Sequence, residues 1–296
     1  MITIQDCIEL TEKYIFEKRI DCYDRSEFSD PEKIADGVCK LKWRNCGIAV
    51  ALKSIKIPKE ILLLRKVACH PNIISFYGLI KDSSNEHYNM VLEFANDGNL
   101  REYLKAYFSR LQWIDKLHMA KEISQGLSFL HVNNIIHHDL HSKNILVQGG
   151  KMRIADFGLS KQTNDVSIIP TSGVYGLPAY IEPQYFKDPL YKLDEKSDIY
   201  SFGVILWEIS SGRPPFKSFT SKEAIAIHIF QGKREQPIDD TPQTFVKLYT
   251  ECWDEDPVNR PEAKSVLKTL NLLISNISNP DYRINTYKYS ANNKIT

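Results

Sequence analysis

Residues 137–144 read His-His-Asp-Leu-His-Ser-Lys-Asn, and Asp156-Phe157-Gly158 begins twelve positions after Asn144. Carboxylate and amide oxygens are hard donors of the kind that hold magnesium, and a carboxylate beside a hydroxyl can orient it and accept its proton. Upstream, Val50-Ala51-Leu52-Lys53 puts an ammonium in an apolar run, with Glu60 close behind it. Each fragment also has a plainer reading. Asp139 can belong to a polar turn, Asp156 to an unrelated tripeptide, and Glu60 to a solvated helix start favoured by the helix dipole. Two motifs in one order and at one separation weigh against coincidence.

The elements that must carry these residues follow from periodicity and turn signals. Val38 to Trp43 and Ile48 to Ile55 read as strands around the turn Arg44-Asn45-Cys46-Gly47. Pro58 suits the first position of a helix reaching about Ala68, which His70-Pro71-Asn72 stops. Ile73 to Ile80 and Tyr88 to Phe94 are two further strands. After Asn96-Asp97-Gly98 the texture turns helical, over 99–106 and 113–132. Short apolar strands follow at Ile145–Val147 and Met152–Ile154. Residues 159–192 hold four prolines and no clear period, which predicts a long loop, and helices resume at Lys196. Residues 5–19 fit a helix with Ile8, Thr11 and Ile15 on one face, Asp24 to Pro31 a linker, and Ser278 to Thr296 a polar tail. A small β lobe before a larger helical lobe, an α+β arrangement, is the expected architecture.

Composition narrows the function classes. A formal net charge of +1 asks for neither nucleic acid nor a membrane surface as partner. The N-terminus lacks the basic start and apolar run of a signal peptide, and no apolar run is long enough to span a bilayer. Six cysteines without CxxC spacing predict a reduced, cytoplasmic setting and small buried hydrophobes. Oligomeric state is not legible.

The motifs together resemble those of the protein kinases, most closely the tyrosine-kinase-like Ser/Thr group, in which Asp-Leu-His-Ser-x-Asn and Leu-Trp-Glu-Ile are common. The resemblance covers roughly residues 27–275, because Ser197-Asp198-Ile199-Tyr200-Ser201-Phe202-Gly203, Trp207-Glu208, Cys252-Trp253 and Asn259-Arg260-Pro261 match the large-lobe helices. It implies a bilobal α+β kinase fold: an N-terminal extension over 1–25, a small lobe over 26–95, a large lobe over 96–276 and a tail over 277–296. It implies transfer of the ATP γ-phosphoryl group to a hydroxyl of a protein substrate, Ser or Thr before Tyr, with magnesium. Asp139 would be the catalytic base, and Asn144 and Asp156 would hold the metal. Lys53 would grip the first two phosphates and pair with Glu60, and Lys143 would neutralise phosphate charge. Backbone groups of Glu93 and Ala95 would meet the adenine edge, with Ala51, Leu146, Ile34 and Val38 against its faces. The alternatives are a pseudokinase scaffold and, more remotely, a small-molecule kinase.

Several positions depart from that pattern. Where a G-x-G-x-x-G loop should cover the phosphates, Lys33-Ile34-Ala35-Asp36-Gly37-Val38 keeps one glycine and is shorter. The stretch from Lys53 to Glu60 is short as well. His138 replaces the Arg that would receive a loop phosphate, and His141 replaces a Lys. Leu177 stands in place of a Thr. Gln184 stands where a Glu would pair with Arg260, so a neutral Gln–Arg contact is expected there.

Overall fold

Alternating apolar residues in the first third of the chain build one twisted sheet. Its strands are β1 (Cys22–Tyr23), β2 (Glu32–Ala35), β3 (Val38–Lys42), β4 (Ala49–Ser54), β5 (Phe76–Lys81) and β6 (Tyr88–Glu93), in the order β1-β5-β6-β4-β3-β2. The computed structural model describes residues 12–13, 17, 20–55, 58–81, 88–163, 176–188 and 190–278. The helix expected over 5–19 and the tail beyond Ser278 lie largely or wholly outside these residues. Directly paired residues of an antiparallel ladder share a face. The pairs Val38↔Lys53↔Met90 and Lys40↔Ala51↔Leu92 therefore define the inner face. Leu41, Val50 and Val91 point the other way, into a second core with Phe28 and Ile80.

Residues read as extension and linker belong to this lobe. Cys22-Tyr23 pairs in parallel with Leu79-Ile80. The segment after it forms a short 3₁₀ turn closed by a capping box between Asp24 and Glu27. The approach is close: a Cβ on Gly78 would meet the Asp21 carbonyl oxygen at 2.4 Å.

Helix α1 (Pro58–Val67) packs on the inner face through the buried Ile61, Leu64 and Val67. The large lobe contains α2 (Leu100–Tyr107), α3 (Trp113–Val132), β7 (Ile135–Ile136), β8 (Ile145–Gln148), β9 (Lys151–Ile154) and β10 (Lys161–Gln162). It continues with α4 (Pro183–Lys187), α5 (Glu195–Ser211), α6 (Lys222–Phe230), α7 (Gln243–Cys252) and α8 (Ala263–Ser278). Helix α5 is buried at every position from Ser197 to Ser211 and serves as the lobe's central pillar, with Asp198 and Glu208 as buried polar anchors. Asp194 caps its start, and Gly212, in the left-handed conformation at φ 67°, ends it. The hairpin β8–β9 lies where the two lobes meet: Ile154 bridges Ile73, and Leu146 bridges Asn99.

Candidate active site

Three elements converge on the Lys53 ammonium. Strand β4 presents it on the inner face, α1 brings Glu60 Oε1 to 2.7 Å, and the turn after β9 brings Asp156 Oδ1 to 2.8 Å. Glu60 is only 4 % exposed, which discards its reading as a solvated helix-start residue. Burial alone would lower the Lys53 pKa, but the two carboxylates outweigh it and raise it above the ordinary lysine value, so the ammonium stays charged. Asp156 adopts a left-handed backbone at φ 64°, and the Gly158 N–H donates to its Oδ1 at 3.3 Å. Burial opposes the Asp156 charge, and Lys53 more than offsets it, leaving its pKa below the usual carboxylate range.

Beside this triad the inner face is apolar. Ala51 and Leu92 are buried, while Val38 and, from β8, Leu146 are half-buried against the core. The Glu93 carboxylate turns to Ser75 and Arg153, and its backbone N–H donates to the Ser75 carbonyl at 2.9 Å. The Ala95 carbonyl accepts from Gly98 N at 3.4 Å. Ile34 sits at a bulge in edge strand β2 and is 46 % exposed, so it does not join this apolar surface. The hairpin β2–β3 turns at Asp36-Gly37, with Gly37 at φ 72° and nothing within 4 Å of a Cβ placed there. It is a tight two-residue turn in place of a long loop.

The catalytic-loop segment is hung from α5. Asp198, fully buried, accepts from the His137 and His138 backbone N–H groups at 2.8 and 2.9 Å and from His131 Nε2 at 3.0 Å. Burial raises the Asp198 pKa, but the histidine contacts more than compensate and hold it low. His137 Nε2 donates to the Ala155 carbonyl at 3.0 Å and so ties this loop to the one bearing Asp156. Asp139 projects between them. Burial, reinforced by the nearby Asp156, pushes its pKa up to about 6. Asn144 Nδ2 donates to the Asp139 carbonyl at 2.9 Å and to Oδ2 at 3.2 Å. That arrangement leaves Asn144 Oδ1 and Asp156 Oδ2 without protein partners among the described residues. Two free hard oxygens suit a cation that takes its remaining ligands from phosphate and water.

His141 is neutral: burial, then His137, lower its pKa to about 4. Its Nδ1 accepts from Asn144 N at 3.1 Å, which puts the proton on Nε2, and this nitrogen lies 3.6 Å from Asp139 Oδ1, beyond a hydrogen bond. Lys143 is exposed and makes no ion pair among the described residues. His138 is half-buried at φ 65°, and burial lowers its pKa, so it offers no fixed charge for a phosphate. Gly176 approaches Asp139 closely, since a Cβ there would lie 2.9 Å from Oδ1.

The Gln184 expectation is overturned. Arg260 pairs with Glu182, two residues earlier: Nη1 donates to Oε2 at 2.7 Å, and both side chains are fully buried. Ser197 Oγ and Tyr191 OH also donate to Glu182. Gln184 instead lies on the first turn of α4 and donates to the Glu255 carbonyl at 3.3 Å. A carboxylate placed just before Pro183 reaches the same guanidinium, so the ion pair survives the change of register. A second buried network also escaped the sequence reading. Arg101 and Tyr180 both donate to Glu208, and Tyr180 OH lies 3.1 Å from Ser142 Oγ. This fixes the segment after Gly176 against the catalytic loop.

Residues 33–270 match the family model for the protein tyrosine and serine/threonine kinase domain. The chain belongs to this family. The dual specificity testis-specific protein kinase 2 of Homo sapiens is 32% identical to this kinase domain over 265 residues, 83% of this chain and 45% of that protein. Mitogen-activated protein kinase kinase kinase 7 of Drosophila melanogaster is 29% identical over 273 residues, 87% of this chain and 39% of that protein. A putative serine/threonine-protein kinase/receptor of Acanthamoeba polyphaga mimivirus is 31% identical over 250 residues, 80% of this chain and 14% of that protein. The chain therefore spans less than half the length of each of these relatives. Among the described residues, no helix is long and apolar enough to cross a membrane.

Proposed function

We propose that this kinase domain transfers the γ-phosphoryl group of ATP to a hydroxyl of a protein, with Ser or Thr preferred. The observation that carries the proposal is the bridge from Glu60 through Lys53 to Asp156, formed beside an Asp139 whose carboxylate is half-buried and oriented by Asn144. A scaffold has no need to hold an ammonium between two acids at a cleft, so the geometry favours enzyme over pseudokinase. Lys53 grips the first two phosphates and is itself aimed by Glu60. Asp139 orients the incoming hydroxyl and accepts its proton. Asn144 Oδ1 and Asp156 are the residues that hold magnesium, which when bound neutralises charge on the phosphates. Lys143 supplies a further positive charge where His141 is neutral. Ala51, Val38 and Leu146 enclose the adenine, and Glu93 and Ala95 meet its edge through their backbones; Ile34 contributes little. A cytoplasmic location accords with the unpaired cysteines among the described residues.

The test is thermal unfolding with ATP in magnesium and in EDTA. A ligand that binds only the folded state raises its stability by mass action. We expect a larger rise with magnesium. Equal shifts in the two buffers would remove the metal assignment and return the scaffold reading.

A further inference from the structure

Beyond the cleft, the chain leaves α5 at Gly212 and forms a pocket of about 420 Å³ lined by Trp207, Arg213, Pro214, Lys217, Ser218 and Glu235. The Arg213 guanidinium lies over the Trp207 ring, 5.9 Å from its centroid, which fixes its direction. The Arg213 side chain makes no hydrogen bond and no ion pair among the described residues, and neither does that of Lys217. Arg101, Arg153 and Arg260, by contrast, are paired with Glu208, Glu93 and Glu182. The pocket's one carboxylate, Glu235, accepts the Phe216 backbone N–H through Oε1. Two cations thus face a concavity against one acid that already serves the backbone.

The pocket lies at the C-terminal end of α5, beside the residue that links this helix to the catalytic loop. Trp207 forms part of it. The next residue, Glu208, holds Arg101 and Tyr180, and Tyr180 in turn contacts Ser142. We infer that Arg213 and Lys217 form a docking site for an acidic stretch of the protein substrate, outside the cleft. This rests on the phosphotransferase reading for the word substrate, but the charge complementarity stands by itself. Interactions of this kind select partners by long-range attraction and weaken as salt rises.

A fluorescein-labelled peptide with four consecutive glutamates in an Ala/Gly background, and its glutamine counterpart, provide the test by fluorescence anisotropy. Wild type should prefer the glutamate peptide, and the preference should shrink with added salt. Arg213→Ala/Lys217→Ala should weaken glutamate-peptide binding by roughly fivefold to tenfold. Lys264→Ala/Lys268→Ala on α8 should leave it within about twofold. Lys217→Glu alone, which removes no contact among the described residues, should weaken it as well and guards against a folding defect. Equal binding of the two peptides, or equal losses in both double variants, overturns the inference. In a positional peptide library with magnesium and ATP, wild type should favour acidic residues, and the Arg213/Lys217 variant should raise KM and leave kcat unchanged. Phosphorylation without acidic preference defeats the docking site alone. No phosphorylation of any peptide defeats the phosphotransferase reading, and the anisotropy result still decides the site.

Discussion

Glu182→Gln separates charge from shape at the pair that anchors the segment before α4. In the wild type, Glu182 Oε2 accepts from Arg260 Nη1 at 2.7 Å and from Tyr191 OH at 3.2 Å, and Oε1 accepts from Ser197 Oγ. A glutamine can keep its carbonyl toward Arg260 and Tyr191 and donate its amide to the Ser197 hydroxyl, which is able to accept. The hydrogen-bond geometry then survives, and the loss is the compensation of a fully buried guanidinium. Arg260 retains only the carbonyls of Asp254 at 2.8 Å, Lys196 at 3.0 Å and Glu255 at 3.3 Å. Removing one partner of a buried pair costs about 3 kcal/mol at the lower end of the usual range. For a domain of this size that lowers Tm by roughly 6–12 °C. Gln184→Glu, which would restore the family's pattern, should change stability by less than about 0.5 kcal/mol, because position 184 reaches a surface carbonyl. Urea unfolding and calorimetry on the three proteins decide the matter. A neutral Glu182→Gln beside a stabilising Gln184→Glu would refute the assigned register.

The tight turn at Gly37 leaves few backbone N–H groups for the terminal phosphates, so ATP should bind only a few times more tightly than adenosine, and Lys53→Met should erase that difference; calorimetry with both ligands measures it, and a strong wild-type preference would mean the phosphates are held another way. In the free enzyme, Asp139 must be ionised to accept a proton, and burial puts its pKa at about 6. The plot of kcat/KM for ATP against pH should therefore fall by about tenfold per unit below that value, and a limb near pH 4 would contradict this.

The small lobe's strands, α1 and the order of the helices could be read from period and turn residues, because apolar alternation and signals such as Pro58 and Asn96-Asp97-Gly98 act locally. What escaped depended on contacts far apart in sequence. Cys22-Tyr23 fell within the expected N-terminal extension because a two-residue strand has no period; only its pairing with β5 reveals it. Glu182 and Gln184 are both polar residues beside Pro183, and only the path from the 3₁₀ turn at Pro178–Tyr180 into α4 decides which one turns inward. The Arg101–Glu208–Tyr180 network joins three remote segments and left no local mark. Lys53, Glu60, Asp139, Asn144 and Asp156 were all nameable from the sequence by resemblance. Their distances, and the free oxygens of Asn144 and Asp156, required the fold.

Asp139→Asn tests the central claim most directly, read for phosphotransfer and for stability together. Its folded-state pKa is raised, so protonated Asp139 favours folding below the ordinary carboxylate pKa of about 4, and that favour is lost as pH rises through about 6. At pH 7.5 the buried charge destabilises the fold, and asparagine removes it. Radiolabelled ATP with magnesium and a mixed peptide library should give clear transfer by wild type. The variant should lose at least about a hundredfold in rate while its Tm rises. A variant that transfers phosphate as fast as wild type, or loses activity only because it unfolds, would contradict the assignment of Asp139 as the base.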